Sequence, residues 1–472
     1  MSVTLYNTMD RKLEEFIPIA DKQVKLYCCG PTVYNYAHIG NLRTYIFEDI
    51  LRRVMIYSGY EVTHVMNITD VGHLVGDGDS GEDKMVKVSK ETGKSVFDIA
   101  DFYTKAFFND TEELNIQTPT IVCKATEHIA DMIALIKKLE KRGHTYTAGG
   151  NVYFSIDTFP TYGKLARLDL NELRSGARIA IDSNKRNPKD FVLWFTKSKF
   201  ENQSMIWDSP WGTGYPGWHL ECSAMSMKYL GEQFDIHCGG TDLIPVHHTN
   251  EIAQAEAATG KSPWVKYWVH GEFLLDDTGK MSKSKGEFMT LSLLKDRGYD
   301  PMDYRYFCLG GHYRSQLQFS FKALDAARTA RKNLEERVRG LLEAGATPQE
   351  IPTLSERPRA LREEFTDYIQ HDLNMPRALS VVWAIVKDGS LSPSEKITLL
   401  YDIDKVLGLR IDKIVCLTDD SLDDTCIALI KEREEARQSK NYLKADEIRG
   451  ILKERGVEIK DTISGTKWKK SV

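Results

Sequence analysis

The sequence lacks the features that mark several classes of protein. No apolar run approaches the roughly 18 residues that would indicate a membrane-spanning helix. The first residues show no basic region followed by an apolar stretch, so no secretory signal is expected. The net charge of −5 excludes a strongly basic nucleic-acid packaging protein, although a local basic patch can still bind RNA. We therefore expect a cytoplasmic protein with no membrane partner.

Cysteine is sparse and scattered along the chain. The eight cysteines include no CxxC pair, which excludes a zinc knuckle built from neighbouring residues. In a large cytoplasmic protein, scattered cysteines are more often buried thiols or metal ligands than disulfides. Any metal site must therefore be assembled from distant segments.

What remains is the composition of an ordinary globular protein, with 42% hydrophobic and 28% charged residues. One core rarely serves 472 residues, so three or more domains are expected. Residues 24–29 are typical of a strand, 37–57 have helical spacing, and 61–66 are again typical of a strand. A strand, a helix and a strand predict an α/β fold with a doubly wound parallel sheet.

Changes in pattern predict the remaining organisation. Helical and short strand-like pieces alternate after the first βαβ unit, as in an inserted domain. Glu, Arg, Ala and Leu then dominate, which predicts a helical bundle, and a weak linker precedes a last unit with a basic tail. The predicted units are 1–118 and 216–275 for the two halves of the α/β domain, 119–215 for the insertion, 276–321 for a loop region, 322–412 for the bundle and 426–472 for the last unit.

Two motifs have residue types that suit a triphosphate. HIGN (38–41) begins the first predicted helix, where free N–H groups and the helix dipole favour phosphate. About 240 residues later, KMSKS (280–284) follows a turn signal, and its two lysines suit a mobile cover that meets developing negative charge. Alone, each motif also fits a common helix start or a solvated basic loop. Their order along the chain is the informative feature.

Four scattered residues have the chemistry of a metal site. His247 and Glu251 are four apart, so both lie on one face of a helix and can share a metal. Cys29 ends the first strand and Cys222 lies near the start of another predicted helix, and zinc accepts two thiolates, an imidazole and a carboxylate. Cys28 is the rival of Cys29, because neighbouring strand residues point to opposite faces. Spacing alone leaves the alternative of buried apolar cysteines open.

The two motifs resemble HIGH and KMSKS, the signature pair of class I aminoacyl-tRNA synthetases, with Asn41 in place of the last histidine. The runs YCCGPTVYNYAHIGN, GWHLECSAMS, FDIHCGGTDL and HHTNEIAQAEA are similar to those of cysteinyl-tRNA synthetases, in the same order. The resemblance covers nearly the whole chain. It implies a Rossmann-type catalytic domain with an inserted domain, a helical bundle and a small C-terminal anticodon-binding domain.

The resemblance also implies an activity and its partners. The enzyme would be a cysteine–tRNA ligase that converts ATP to AMP and diphosphate. It would activate L-cysteine to cysteinyl-adenylate and transfer cysteine to the 3′ end of tRNA(Cys), as a monomer. One zinc ion per chain would recognise the substrate thiol, and magnesium would accompany the ATP. Zinc binds a thiolate strongly and a hydroxyl weakly, so it separates cysteine from serine where an apolar pocket separates close analogues poorly.

Matched position by position, the resemblance assigns roles to single residues. The zinc ligands would be Cys29, Cys222, His247 and Glu251. The catalytic residues would be His38, Asn41, Lys280 and Lys283, with Gly40 and Ser282 as further ATP contacts. Substrate would lie against Gly30, Thr69, Trp218 and Asp242, above a floor of histidines (His38, His219, His237, His247 and His248). The anticodon would be read by Arg437, Asp446 and Asp461, with Trp468 as a stacking face.

The sequence departs from the family at one further point and leaves two rival functions. Pro245 comes one residue earlier than the family's proline before the paired histidines, and Val246 takes its place. One rival is a related ligase that transfers activated cysteine to an amino sugar, which would lack the unit over 320–472. The other is a non-catalytic tRNA-binding paralogue, which the intact KMSKS and the four metal positions argue against.

Overall fold

The computed structural model describes residues 2–71, 84–168, 182–197, 205–276, 279–280, 289–415, 424–462 and 465–470. Their strands, in chain order, are β1 (Thr4–Asn7), β2 (Lys12–Glu15), β3 (Gln23–Cys28), β4 (Glu61–Ile68), β5 (Ile121–Lys124), β6 (Thr145–Ala148), β7 (Asn151–Phe154), β8 (Phe191–Phe195), β9 (Tyr215–Pro216), β10 (Phe234–Gly240), β11 (Val265–Gly271), β12 (Leu274–Asp276), β13 (Gly279–Lys280), β14 (Leu317–Gln318), β15 (Val457–Thr462) and β16 (Gly465–Lys470).

The helices of the same residues are α1 (Ile39–Tyr57), α2 (Lys84–Thr92), α3 (Val96–Glu113), α4 (Ile129–Lys141), α5 (Trp218–Leu230), α6 (Thr249–Thr259), α7 (Leu291–Asp296), α8 (Pro301–Leu309), α9 (Phe321–Glu343), α10 (Glu356–Gln370), α11 (Met375–Lys387), α12 (Pro393–Leu407), α13 (Asp424–Gln438) and α14 (Tyr442–Glu454). A π-helical turn, Ile244–His248, leads into α6. None of the described helices is long and apolar enough to cross a membrane.

A five-stranded parallel sheet forms the centre of the molecule, in the order β11-β10-β3-β4-β5. The chain proceeds outward from β3 on one side and through β10 to β11 on the other. The carboxyl ends of β3 and β10 therefore flank the switch point at which doubly wound sheets bind ligands. The predicted βαβ unit and the α/β fold are confirmed, with β3, α1 and β4 within about two residues of their predicted limits.

Two apolar cores cover the two faces of this sheet. On one face, α1 packs beneath the sheet and joins it to the helical bundle, so that buried residues from β1 to α12 form one continuous core. On the other face, α4, α5 and α6 pack together with residues of the inserted sheet. Because both faces are covered, four of the six residues of β3 and six of the seven residues of β10 are buried.

The inserted part has its own antiparallel sheet in the order β6-β7-β8-β9. The structure differs here from the expected boundary at residue 119, because β5 pairs with β4 in the central sheet and α4 packs on α5 and α6. The separate sheet begins only at β6. A short buried strand and an amphipathic helix give the same sequence pattern in either domain, so their partners decide where they belong.

The C-terminal half is helical until the last unit. Helices α8 to α12 pack against one another and against α1, and Phe321 begins α9 one residue before the predicted start of the bundle. In the last unit, α13 and α14 pack against the hairpin of β15 and β16 around a small core that includes Trp468.

Candidate functional site

Cys29 reaches the switch point because it follows the last residue of β3. Cys28, its neighbour, is fully buried in the core on the α1 side, whereas Cys29 packs against the core on the other side of the sheet. This is the alternation that a strand imposes. Cys222 arrives from the second turn of α5, which lies on the same side as Cys29, and the two sulfur atoms are 3.9 Å apart.

The π-helical turn Ile244–His248 brings the remaining groups to the same place. A π turn has more residues than an α turn, so adjacent side chains diverge by a smaller angle. Both His247 and His248 are consequently buried on the side that faces the sheet. Pro245 lies at the start of this turn, where its missing N–H costs no helical hydrogen bond. Glu251, in the first turn of α6, is fully buried beside His247.

The four predicted ligands form one compact group. One ligand atom each from Cys29, Cys222, His247 and Glu251 lies within 4.8 Å of every other. Oε1 of Glu251 is 2.9 Å from Nε2 of His247, yet within the described structure it accepts no well-aligned hydrogen bond. A buried carboxylate oxygen that accepts no well-aligned hydrogen bond is stabilised by a nearby cation, either a metal ion or, in its absence, the protonated ring of His247. The donor set and this oxygen therefore fit a metal ion such as zinc.

The charges of the metal-free group follow from burial and from its partners. Burial lowers the pKa of His247, but Glu251 and Cys222 outweigh it and raise that pKa to about 10. Burial raises the pKa of Glu251, but His237 and His247 outweigh it and hold that pKa at about 2. Burial also opposes ionisation of Cys222, but the hydrogen bond from Cys29 and the charge of His247 bring its pKa to about 6.

The two thiols therefore share a proton. Burial, together with the neighbouring Cys222, raises the pKa of Cys29 well above its ordinary value. At neutral pH without metal, Cys222 is a thiolate, Glu251 a carboxylate, His247 an imidazolium and Cys29 a thiol. A metal ion has to displace the last two protons to use all four ligands.

A second group of atoms overlaps with the first. Cys29 and Glu251 also lie within 4.8 Å of ligand atoms of His237 and His248. Nε2 of His237 is 2.9 Å from Oε2 of Glu251, and Nε2 of His248 is 3.4 Å from the sulfur of Cys29. These two histidines can either bind the metal or orient its ligands from behind, which is a common role for groups around a metal.

Four of the five histidines expected to form the floor of the site lie together, and His270 takes the place expected for His38. His219, His237, His247 and His248 lie together: the Nδ1 atoms of His219 and His247 are 3.0 Å apart, and the rings of His237 and His248 are 4.5 Å apart. His270, which sequence reasoning missed, joins them, with Nε2 2.8 Å from Nδ1 of His248. A polar residue near the end of an apolar strand, here β11, was the signal that could have identified it.

His38 has a different position, as the N-cap of α1. Its Nδ1 accepts a hydrogen bond from the N–H of Asn41 at 3.1 Å, so the ring is fixed at the mouth of the helix. A Cβ on Gly40 would lie 2.9 Å from that ring, which explains the glycine. His38 and Thr290 form a backbone bridge, and the N–H of Ile39 bonds to the carbonyl of Met289. HIGN thus lies beside the residues that follow KMSKS.

The KMSKS motif itself is described only at its first residue. Gly279–Lys280 forms β13, and Lys280 pairs with Leu275 of β12 in backbone register. Ser282 and Lys283 lie outside the described residues. The residues on either side of the motif are nevertheless located: Lys280 pairs with Leu275 of β12, and Thr290 pairs with His38 at the start of α1.

The predicted substrate contacts surround the metal group. Gly30 follows Cys29, and its N–H donates to Oδ1 of Asn67 at 2.9 Å; a Cβ there would lie 1.7 Å from the carbonyl oxygen of Asn67, so only glycine fits. Thr69 is buried beside this loop, and the ring of Trp218 lies 4.3 Å from that of His247. Asp242 is exposed just beyond β10, on the same sheet edge.

The predicted anticodon residues have unequal environments. Arg437 and Arg433 both bond to the carboxylate of Asp461, so the structure commits Asp461 to an ion-pair network. Asp446 is exposed on α14. Trp468 is only 4% exposed and packs in the core of this unit, so its face is not open to a base. Tyr442, 60% exposed at the start of α14, presents the open ring that was expected of Trp468.

Comparison with known proteins agrees with this geometry. Residues 15–329 match the family model of tRNA synthetases class I (C) catalytic domain, and residues 419–468 match the cysteinyl-tRNA ligase anticodon binding domain. The chain is 54% identical to the cysteine–tRNA ligase of Treponema denticola and 45% identical to that of Treponema pallidum (strain Nichols), over all of each chain. It is 47% identical to cysteine–tRNA ligase 1 of Burkholderia lata, over 98% of this chain and 96% of that one. The fold is similar to that of Mycobacterium tuberculosis methionyl-tRNA synthetase bound by methionyl-adenylate, with a TM-score of 0.58 at 15% identity over 83% of this chain and 93% of that chain.

Proposed function

This chain belongs to the cysteine–tRNA ligase family of class I synthetases, and from that premise we propose how its residues perform the reaction. It activates L-cysteine with ATP to cysteinyl-adenylate and diphosphate, and transfers the cysteinyl group to the 3′ end of tRNA(Cys). The observation that supports this most directly is the Cys29, Cys222, His247 and Glu251 group, next to the start of the HIGN helix at one sheet edge.

One zinc ion per chain is held by these four residues, and when bound it supplies a site that prefers the substrate thiolate to a hydroxyl. The buried Oε1 of Glu251, which accepts no well-aligned hydrogen bond, and the Cys222 thiolate support this assignment. The set with Cys222 has two sulfur ligands, which zinc favours over the alternative set with His237 and His248. In this assignment His237 contacts the second carboxylate oxygen of Glu251 and orients that carboxylate, while His248 and His270 form the polar floor of the site.

ATP binds at the N-terminus of α1, where backbone N–H groups meet its phosphates and magnesium accompanies them. His38 and Asn41 lie at this helix mouth, and the lysine and serine groups of the KMSKS motif (Lys280, Ser282 and Lys283) bind the phosphates in this proposal. Gly40 has no side chain, so the phosphates can approach the backbone at the start of α1 closely. The site positions the cysteine carboxylate for in-line attack on the α-phosphorus and stabilises the charge that develops there.

Cysteine lies between the metal group and the helix mouth. The carbonyl of Gly30 accepts from its ammonium group, while Asn67 holds the Gly30 N–H. Thr69, Trp218 and Asp242 enclose the rest of the amino acid. Arg437, Asp446 and Asp461 read the anticodon; the exposed ring of Tyr442 supports a stacking role better than the buried Trp468 does. We propose a monomer in the cytoplasm, where the seven free cysteines that the structure describes stay reduced.

The first experiment is cysteine-dependent ATP–pyrophosphate exchange, followed by charging of tRNA(Cys). Both reactions are expected. Exchange without charging would favour a ligase with another acceptor, and the absence of exchange in the metal-loaded protein would contradict the proposal.

The metal assignment has a matched pair of variants. Cys222→Ser removes a ligand found only in the first set, and His248→Gln removes one found only in the second. We expect Cys222→Ser to lower bound zinc and to weaken cysteine binding far more than ATP binding, while His248→Gln keeps its zinc. Full zinc in Cys222→Ser, measured by metal analysis, would sink the assignment.

A further inference from the structure

Beside the proposed active site, three aromatic rings, two exposed and one half-buried, form a surface cluster that has no role in the proposed binding of metal, ATP or cysteine. Tyr36 lies in the loop between β3 and α1, and Phe102 and Tyr103 lie on α3. Their ring centroids are 5.1 to 6.0 Å apart and their planes are nearly perpendicular. The side chain of Tyr36 is 39% exposed and that of Phe102 is 46% exposed. Adjacent apolar rings with this much exposed surface are typical of a binding site.

The cluster has a rigid support. Tyr103 of the cluster packs against a small buried core that includes Val33 from the loop, Ile99 from α3 and Met205 from the inserted part. The loop is also pinned to the end of β4, since Val33 and Thr69 are joined by a backbone hydrogen bond. The rings therefore sit on a fixed surface where the insertion meets the catalytic domain.

The position of the cluster connects it with the reaction centre. Tyr36 is two residues before His38, the cap of the proposed ATP-binding helix, so their Cα atoms are at most about 7.6 Å apart. A polymer end that reaches this helix mouth therefore comes close to the loop that carries Tyr36. Rings with an open face bind unpaired bases by stacking, irrespective of base identity.

The charges around the rings favour stacking with limited phosphate attraction. The Lys94 ammonium lies 5.2 Å from the centre of the Phe102 ring, and Lys105 is exposed on the same helix. Asp98 and Asp101 face this region too, although Asp101 is paired with Lys124 at 2.8 Å. Because these charges nearly balance, phosphate attraction contributes little at this position, so the rings must supply most of the local affinity for RNA.

We propose that Tyr36, Phe102 and Tyr103 form a stacking platform for the single-stranded 3′ end of the tRNA as it enters the active site. The platform rests on the proposed function, because it needs an RNA acceptor, and it adds a site for unpaired bases distinct from the anticodon contacts. It positions the 3′ end for the transfer step and takes no part in adenylate formation.

The test compares two exposed phenylalanines of α3. Phe102→Ala removes the central ring, while Phe97→Ala removes a ring that is 55% exposed on the same helix but outside the cluster. Binding of each variant is measured with intact tRNA(Cys) and with the same tRNA shortened by its single-stranded 3′ nucleotides. Loss of one base–ring stack is expected to weaken binding of intact tRNA by about tenfold in Phe102→Ala.

The shortened tRNA, the control variant and a Trp substitution each have a definite expected result. The shortened tRNA should bind Phe102→Ala and the unaltered protein equally, Phe97→Ala should behave like the unaltered protein, and Phe102→Trp should restore binding. ATP–pyrophosphate exchange should be unchanged in all three variants. Equal weakening with shortened tRNA, equal effects of the two alanine variants, or no weakening would each overturn the platform. Failure of the unaltered protein to exchange or to charge tRNA would instead overturn the proposed function.

Discussion

Removing the metal with a chelator and returning zinc at different pH values measures the protons that the ligands hold. In the metal-free chain, His247 carries a proton because its pKa is about 10, and Cys29 carries one because its pKa is raised well above its ordinary value. Cys222, with a pKa of about 6, and Glu251, with a pKa of about 2, are already deprotonated at pH 7. Zinc binding should therefore release close to two protons per site at neutral pH.

The size and sign of the pH dependence follow from those protons. Taking the His247 proton at pH 7 opposes metal binding by about 4 kcal/mol, since each unit of pKa is about 1.36 kcal/mol. With two protons released, the apparent zinc affinity should rise about 100-fold for each pH unit between pH 7 and pH 9. Below about pH 6, Cys222 also becomes protonated, and the dependence should steepen toward three protons.

Calorimetry in two buffers of different ionisation enthalpy gives the number of protons, and competition with a coloured chelator gives the slope of affinity against pH. The rival set uses His248, whose pKa is held well below its ordinary value by burial and so supplies no proton. A release of one proton or fewer would refute the assignment of His247 and Cys29 as joint ligands. His248→Gln is the control, and its release should stay near two.

Three further perturbations test the fold around the site. Burial lowers the pKa of His64 to about 3, so the unfolded chain takes up a proton at a higher pH than the folded chain does, and the free energy of unfolding should fall as pH drops below about 6.5. His64→Leu should reduce that loss by about 2 kcal/mol at pH 5, measured by denaturant titration. An unchanged pH profile in this variant would contradict the explanation. Arg305→Ala removes one of the two arginines that bond to buried Asp49, which keeps Arg53, and takes a donor from the buried carbonyls of Leu407 and Leu114; it should lower the free energy of unfolding by about 3 kcal/mol, against at most about 1 kcal/mol for the surface pair of Arg328. Trp468→Ala should unfold the C-terminal unit, seen as protease cleavage there, whereas Tyr442→Ala should keep that unit folded and raise the KM for tRNA; cleavage in both variants would argue against the distinction.

Helices and strands were predictable where buried and exposed positions alternate at a regular spacing along the chain. The βαβ unit from β3 to β4 lies within about two residues of its predicted limits, because burial of one side or of a whole strand leaves a periodic signal. The boundary at 119 was less predictable, since β5 and α4 have patterns that suit either neighbouring domain. Trp468 shows the same limit for a single side chain, because an aromatic residue in a basic tail fits a core or a stacking face equally well.

By itself, the sequence determined the fold class and the two nucleotide motifs, because these depend on residue type and on short-range spacing; the preference for Cys29 over Cys28 came from the resemblance to the family. Only the tertiary structure decided that Cys29, Cys222, His247 and Glu251 meet within 4.8 Å, that His270 joins the floor, and that Tyr36 and Phe102 meet beside the helix mouth. Those contacts join residues that are far apart along the chain. Sheet order, helix packing and the π turn set the distances between them, and no local pattern in the sequence encodes such distances.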